Sequence, residues 1–316
     1  MAITINTNLS SLIVQSNLSK ATSSLNLAIE RMTTGYKINH ASDNAAGYSI
    51  ARNWEAQLGS LDVAADNAAT GADMLSTLED HYALISTHIQ RVRDLTEQAA
   101  NGTYGTQSLQ AVKSEIKARL QEVDRIAANC EFSGQYMMNG SMEDIAIQVG
   151  IDGNAAKSQI TLSDNLFAKG DITSLFKIPA KTVSGQTIPA YDLEEKVTDK
   201  GSFDSLEEAR RDRLAQDCAG LTTGTSAASM LTYIDDVINK ISDRVTTLGA
   251  AQNRIESAIT SIGVQSENIM SSLSTLRDAD VAEESSNYIK AQILQQASAT
   301  LLATANQTPS IALNLL

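Results

Sequence analysis

Aromatic side chains are scarce: Phe, Trp and Tyr make up 4% of the chain, with a single tryptophan, Trp54. A wide globular core normally draws on more ring bulk, because each ring buries a large area. Proline is almost absent. Of three, Pro179 and Pro189 lie mid-chain and Pro309 near the end, so 1–178 and 190–308 are free of the strongest helix breaker. Two cysteines, Cys130 and Cys218, make no disulfide framework and read as free thiols. Basic charge is short too. The net charge of −13 leaves no face to neutralise phosphates, which argues against nucleic acid as a partner. No apolar run approaches the ~18 residues needed to cross a bilayer, so no membrane insertion is expected. Residues 1–20 lack an early cation and a long apolar stretch, so the chain is expected to stay in the cytosol or leave by a route that reads no signal peptide.

Catalytic patterns are missing as well. Phosphate-binding glycine loops, a nucleophile elbow and the zinc-protease motif do not occur. His81 and His88, seven apart, share a helix face, but their rise of about 10.5 Å exceeds what one zinc spans. The acidic pairs Glu194-Glu195, Glu207-Glu208, Asp235-Asp236 and Glu283-Glu284 read as solvated faces, because adjacent helical residues do not converge on a substrate. The chain is therefore expected to be no enzyme and to need no cofactor.

What the chain does have is helical spacing. Val14, Leu18, Ala21, Leu25, Ala28 and Met32 alternate steps of four and three, a coiled-coil seam. Gly35 suits the helix stop, and Ser42, Asp43 and Asn44 suit the next N-cap. A second helix is expected over about 43–99, with Gly47, Gly59 and Gly71 as weak points, ending at Asn101-Gly102. Leu109, Val112, Ile116, Leu120, Val123 and Ala127 mark a third. Ile145, Ile147, Val149 and Ile151 then alternate as in a strand. Asp152-Gly153 signals a turn, with Gln159–Leu162 pairing back as a hairpin. Ser205 and Glu208 suit a capping box for a short helix near 206–217. Met230, Ile234, Val237, Ile241, Val245 and Leu248 form a stripe that Ile255, Ile259, Ile262, Ile269, Leu273 and Leu276 continue. Ile289, Ile293, Ala297 and Leu301, four apart, complete the terminal coiled-coil seam, before Pro309 and an apolar tail.

The expected fold is mainly α: a long helical coiled-coil rod from paired N- and C-terminal segments, with a small β-hairpin region and a short central insert. Its divisions are 1–41 with 277–316, an inner terminal domain; 42–165 with 226–276, a helical rod domain carrying the hairpin; and 166–225, a variable surface insert.

Five stretches resemble bacterial flagellin. AIERMTTGYKINHASDNAAGYSIA (28–51) is similar to its first signature. QRVRDLTEQAANGT (90–103) with SEIKARLQEVDRI (114–126) is similar to its second. LGAAQNRIESAIT (248–260) and YIKAQILQQASATLLATAN (288–306) are similar to its C-terminal signatures. The resemblance implies a structural subunit that polymerises into the extracellular flagellar filament. It implies export by the flagellar type III apparatus and, as partners, other copies of itself, an export chaperone, the filament cap, hook–filament junction proteins and host flagellin-sensing receptors. Family receptor contacts map onto Arg91, Leu95 and Glu115, and the C-terminal leucines read by a cytosolic sensor map onto Leu313, Leu315 and Leu316. Departures are local: Thr96-Glu97 stands where Ala-Val is common, Cys130 where many relatives have Thr, Ser133 where they have Asn, and Met137-Met138 in place of Leu-Leu. Alternative readings are a hook–filament junction protein, whose relatives usually carry a proline after the paired aspartates of the first signature, and a secreted coiled-coil adhesin or effector.

Overall fold

The computed structural model describes residues 8–179, 181–183, 186–188, 190–192, 206–221 and 226–313. The fold is mainly helical, with small antiparallel strand pairs. The chain divides into two compact units, residues 1–60 with 264–316 and residues 61–263.

The first unit pairs helix α1 (Leu9–Thr34) with the last helix, α8 (Val281–Leu313). The Asn8 carboxamide accepts from the Ser11 N–H at 3.1 Å and caps α1. Gly35, at φ +75°, ends it by returning its N–H to the Arg31 carbonyl, the left-handed stop glycine takes without a Cβ penalty. Asp280 caps α8, accepting from the Ala282 N–H at 2.8 Å. Helix α2 (Ala45–Ala100) starts on Asn44, whose side chain accepts from the Gly47 N–H at 2.9 Å. Asp43 instead accepts from the Asn39 and His40 amides at 3.0 and 2.9 Å.

Between the helices, Lys37 N–H donates to the Arg277 carbonyl at 2.7 Å and Ala279 N–H to the Gly35 carbonyl at 2.9 Å. Arg277 also ion-pairs with Glu55 and lies 4.1 Å over the Tyr36 ring. These contacts bring residues 45–60 and 264–277 into the unit of the terminal helices, so the division falls inside α2 and inside α7 (Ala227–Arg277).

The three glycines of α2 do not break it. Gly47 lets Ile38 approach, where a Cβ would lie 2.9 Å from Ile38 Cδ1, and Gly71 makes room for Ile147.

The second unit packs α2, α3 (Thr106–Ala128) and α7 around one apolar core. Val112, Ile116, Leu120, Val123 and Ala127 of α3 are buried in it. A tight pair, β1 (Glu131–Phe132) with β2 (Gln135–Tyr136), turns through Ser133 and Gly134, both at positive φ. β3 (Ile145–Gln148) pairs with β4 (Gln159–Leu162), Ile145 facing Leu162, with a single turn, α4 (Ala155–Ser158), between them. Short pieces follow: a 3-10 turn over Asp164–Phe167, α5 (Ile172–Leu175), and β5 (Lys181–Val183) with β6 (Gln186–Ile188). Helix α6 (Leu206–Cys218) lies against α3; the Ser205 expected to cap it lies outside the described residues.

Several described residues of the expected insert, 166–225, are buried. Phe167, Ile172, Leu175, Phe176, Tyr191, Leu214, Ala215 and Cys218 belong to the same buried core as Leu75, Ile85 and Ile234. Lys113 pairs with Asp212 at 2.8 Å, Lys117 with Glu208 at 3.1 Å and Arg211 with Asp124 at 2.8 Å. Tyr191 OH donates to the buried Asp217 at 3.0 Å. The segment lacks long-period spacing because short pieces fill a core whose other walls are long helices.

Helix α8 continues through Pro309 to Leu313. A proline this close to a helix end removes little of the hydrogen-bond ladder.

Candidate functional site

The pairing of α1 with α8 is antiparallel. Asn8 Nδ2 donates to the Ala305 carbonyl at 2.7 Å, Ser11 Oγ to Asn306 Oδ1 at 2.8 Å, Gln295 Nε2 to Thr22 Oγ1 at 3.3 Å and Arg31 Nη1 to Glu284 Oε1 at 3.0 Å. On α1 the seam holds buried Ala21 and Ala28 with half-buried Val14, Leu18 and Leu25, while Met32 in the last turn is exposed. Arg31 supplies the contact there.

On α8 the structure turns a different face inward from the one the aliphatic spacing indicates. Ile289, Ile293 and Leu301 are 54%, 59% and 56% exposed, and Ala297 is exposed too. Inward lie Glu284, Tyr288, Ala291, Gln295, Ser298, Leu302 and Ala305, all buried or half-buried. The reason is geometric. A row stepping by four advances about 40° beyond a full turn each time and winds off any one face, whereas alternating steps of four and three hold it. The signal was present in that alternation, but apart from Tyr288 and Leu302 its residues are small or polar and do not stand out by hydropathy.

The result is a helix pair whose fully buried seam positions are alanines, Ser298 and Glu284, with many large aliphatics outside. Leu9, Leu12, Ile13 and Leu27 of α1 and Ile289, Ile293, Leu294 and Leu301 of α8 are all exposed. An open groove of about 690 Å³ between the helices is lined by Leu27, Leu294 and Leu301, flanked by Lys20, Arg31 and Lys290.

The second unit holds the predicted receptor-contact residues. Arg91 Nε and Nη2 both donate to Glu115 Oε1, at 3.1 and 3.0 Å, and Arg119 stands 3.8 Å from the same carboxylate. This pair is exposed. Leu95 is not with it: it is 2% exposed and sits in the core. Thr96 is buried as well, its hydroxyl donating to the Val92 carbonyl at 2.8 Å. Arg93 crosses to α7 and donates to Asp235 at 2.6 Å. Leu315 and Leu316 lie outside the described residues, and of Leu313 only the backbone, the last residue of α8, is described.

Burial pushes both thiols, Cys130 and Cys218, up to about 12. Burial also raises Asp124, opposed by the Ile172 N–H and by Arg211. Among the described residues no group of His, Cys, Asp and Glu is placed to hold a metal ion, and no helix is long and apolar enough to cross a membrane.

Two family models match the chain: the bacterial flagellin N-terminal helical region over residues 5–143 and the bacterial flagellin C-terminal helical region over residues 231–316. The chain is similar to a flagellin of Xenorhabdus nematophila, 36% identical with all of both chains covered. It is 35% identical to flagellin 1 of Proteus mirabilis, again over the whole of both. In fold it is similar to a solved chain of Vibrio parahaemolyticus provisionally described as a flagellar hook-associated protein, with a TM-score of 0.50, 14% identity, and 75% of this chain and all of that one covered.

Proposed function

The chain belongs to the bacterial flagellin family and is a subunit of the flagellar filament, and from that premise we propose that the outward aliphatic faces of α1 and α8 are the surfaces its neighbouring copies cover. The observation that carries this reading is the inverted pair itself, whose large side chains point away from its own seam. Covering each such side chain is worth roughly 1.5–3 kcal/mol. Head-to-tail contact between unlike surfaces grows an open helical fibre when its rotation does not close into a ring. Flagellin is a structural family, and the subunit acts by packing.

The terminal segments, 1–41 with 277–316, form the inner layer of the polymer in this reading, and 42–165 with 226–276 the layer around it. The subunit passes unfolded through the flagellar type III channel to the outside of the cell. An export chaperone shields the apolar face of α8 until then, and the cap and hook–filament junction proteins meet the same terminal helices at the two ends of the filament. Two isolated helices of this length are marginal alone in water, which suits segments that complete their packing only on assembly.

Seeded polymerisation tests the assembly role. Full-length protein is compared with a chain ending at Leu276, which lacks α8. Full-length protein elongating seeds while the truncation stays in the supernatant supports the reading. Full-length monomer that never extends a seed refutes it.

For host recognition, the exposed Arg91–Glu115 pair is the proposed receptor contact, with Leu95 supporting it from beneath. Arg91→Ala is expected to lower receptor signalling by the monomer, and unchanged signalling removes this role.

A further inference from the structure

Asn139 is followed by Gly140, whose backbone sits at φ +72° and where a Cβ would lie 2.5 Å from Lys169 Cγ. The fold thus requires glycine here, and glycine leaves its own nitrogen unshielded. The Asn139 side-chain oxygen accepts two hydrogen bonds from Ser141, one from its backbone N–H at 2.9 Å and one from its hydroxyl at 2.6 Å. Asn139, Gly140 and Ser141 are all exposed, so water reaches them.

We infer that Asn139 is a self-processing site, its carboxamide converted to a carboxylate through a cyclic imide closed by the Gly140 nitrogen, with Ser141 supplying the donors that stabilise the reacting oxygen. The Gly140 nitrogen forms a bond to Asn139 Cγ and gives up its proton. Negative charge collects on Oδ1, where the two Ser141 donors already point, the arrangement of an oxyanion hole. The Cγ–Nδ2 bond then breaks, and the side-chain nitrogen leaves as ammonia, carrying the proton lost from Gly140. Water next adds to one of the two imide carbonyls and opens the ring, to aspartate or to its β-linked isomer. One water is consumed and one ammonia released, with no oxidant or reductant.

Asn139 shares a cavity of about 230 Å³ with Lys169 and with Asp124 and Asp171, so the new carboxylate forms beside one cation and two acidic side chains. The β-linked isomer adds a backbone methylene beside Met138, which is buried and whose carbonyl accepts from Gly170 N–H at 3.0 Å. That isomer is the one that loosens the local packing.

The chain carries its own control. Asn101-Gly102 has the same two residues, but the Asn101 oxygen accepts one donor, Thr103 N–H, at 3.3 Å, and nothing crowds Gly102 within 4 Å. Full-length monomer is incubated at neutral pH, and peptide mass spectrometry follows both sites. Asn139 is expected to convert at least about ten-fold faster than Asn101, and the ratio to fall towards one in denaturant. Ser141→Ala is expected to slow Asn139 about five-fold, the value of one hydrogen bond in the rate-limiting step, and to leave Asn101 unchanged. Equal rates in the folded protein, a ratio that survives denaturant, or an unchanged rate in Ser141→Ala each overturn the assignment.

Discussion

Arg31 in the last turn of α1 donates to Glu284 in the first turn of α8 at 3.0 Å, across 253 positions of sequence. Each charge sits at the helix end whose dipole favours it, cation at the C-terminus and anion at the N-terminus. Glu284 is buried, where an unpaired carboxylate is costly. The pair therefore helps fix the antiparallel register of the two end helices, and with it which face of α8 stays open.

That open face gives a direct prediction. Ile293→Asp is expected to raise the critical concentration for seeded growth at least about ten-fold, since losing one covered aliphatic side chain removes roughly 1.5–3 kcal/mol per contact. The far-ultraviolet circular dichroism of the monomer should stay unchanged, because Ile293 touches little of its own chain. Normal growth at the wild-type concentration would show that this face is not covered in the filament.

Leu214 tests whether the middle segment belongs to the core. Its side chain is fully buried within the second unit, so Leu214→Ala is expected to cost about 2–5 kcal/mol. Denaturant unfolding should show one shifted transition that includes α2, α3 and α7. A detachable surface piece would instead melt separately and leave the main transition where it was.

The thiols offer a chemical readout. Cys130 and Cys218 are both buried, and burial pushes each up to about 12, so the reactive thiolate is scarce at ordinary pH. A thiol reagent at mildly alkaline pH is expected to label neither in the native protein and both in denaturant, with native labelling following the unfolding rate. Rapid labelling of Cys218 in folded protein would mean that α6 opens on its own.

Asp43 sets a pH dependence. The amide hydrogen bonds from His40 and Asn39 hold its carboxyl below the ordinary 3.8. The folded value is lower than the unfolded one, so the stabilisation is fully present above about that pH and is lost as pH falls through the folded value. Acid titration of the monomer should therefore loosen the segment between α1 and α2 only below pH 3.8. Asp43→Asn should flatten that step, as read by the fluorescence of Trp54. An unchanged step in Asp43→Asn would assign the transition to other carboxylates.

Much of this protein is written in local sequence. The stop at Gly35, the break at Asn101-Gly102 and the alternation that pairs Ile145 with Leu162 follow from backbone preference and residue period alone, and the family signatures follow from contiguous residues. Tertiary structure decided three things that period does not contain. It placed Leu95 in the core while leaving Arg91 and Glu115 outside, because a helix face is buried only where another element meets it. It drew Phe176, Tyr191 and Cys218 into the core of the second unit, because short irregular pieces fill whatever space long helices leave. Finally, it turned Ala291 and Ser298 inward and Ile293 and Leu301 outward. Hydrophobic spacing locates apolar faces but not what covers them: the last helix packs its small and polar residues against its own chain and leaves Ile293 and Leu301 bare, because the register of the helix pair, not hydropathy, decides which face turns inward.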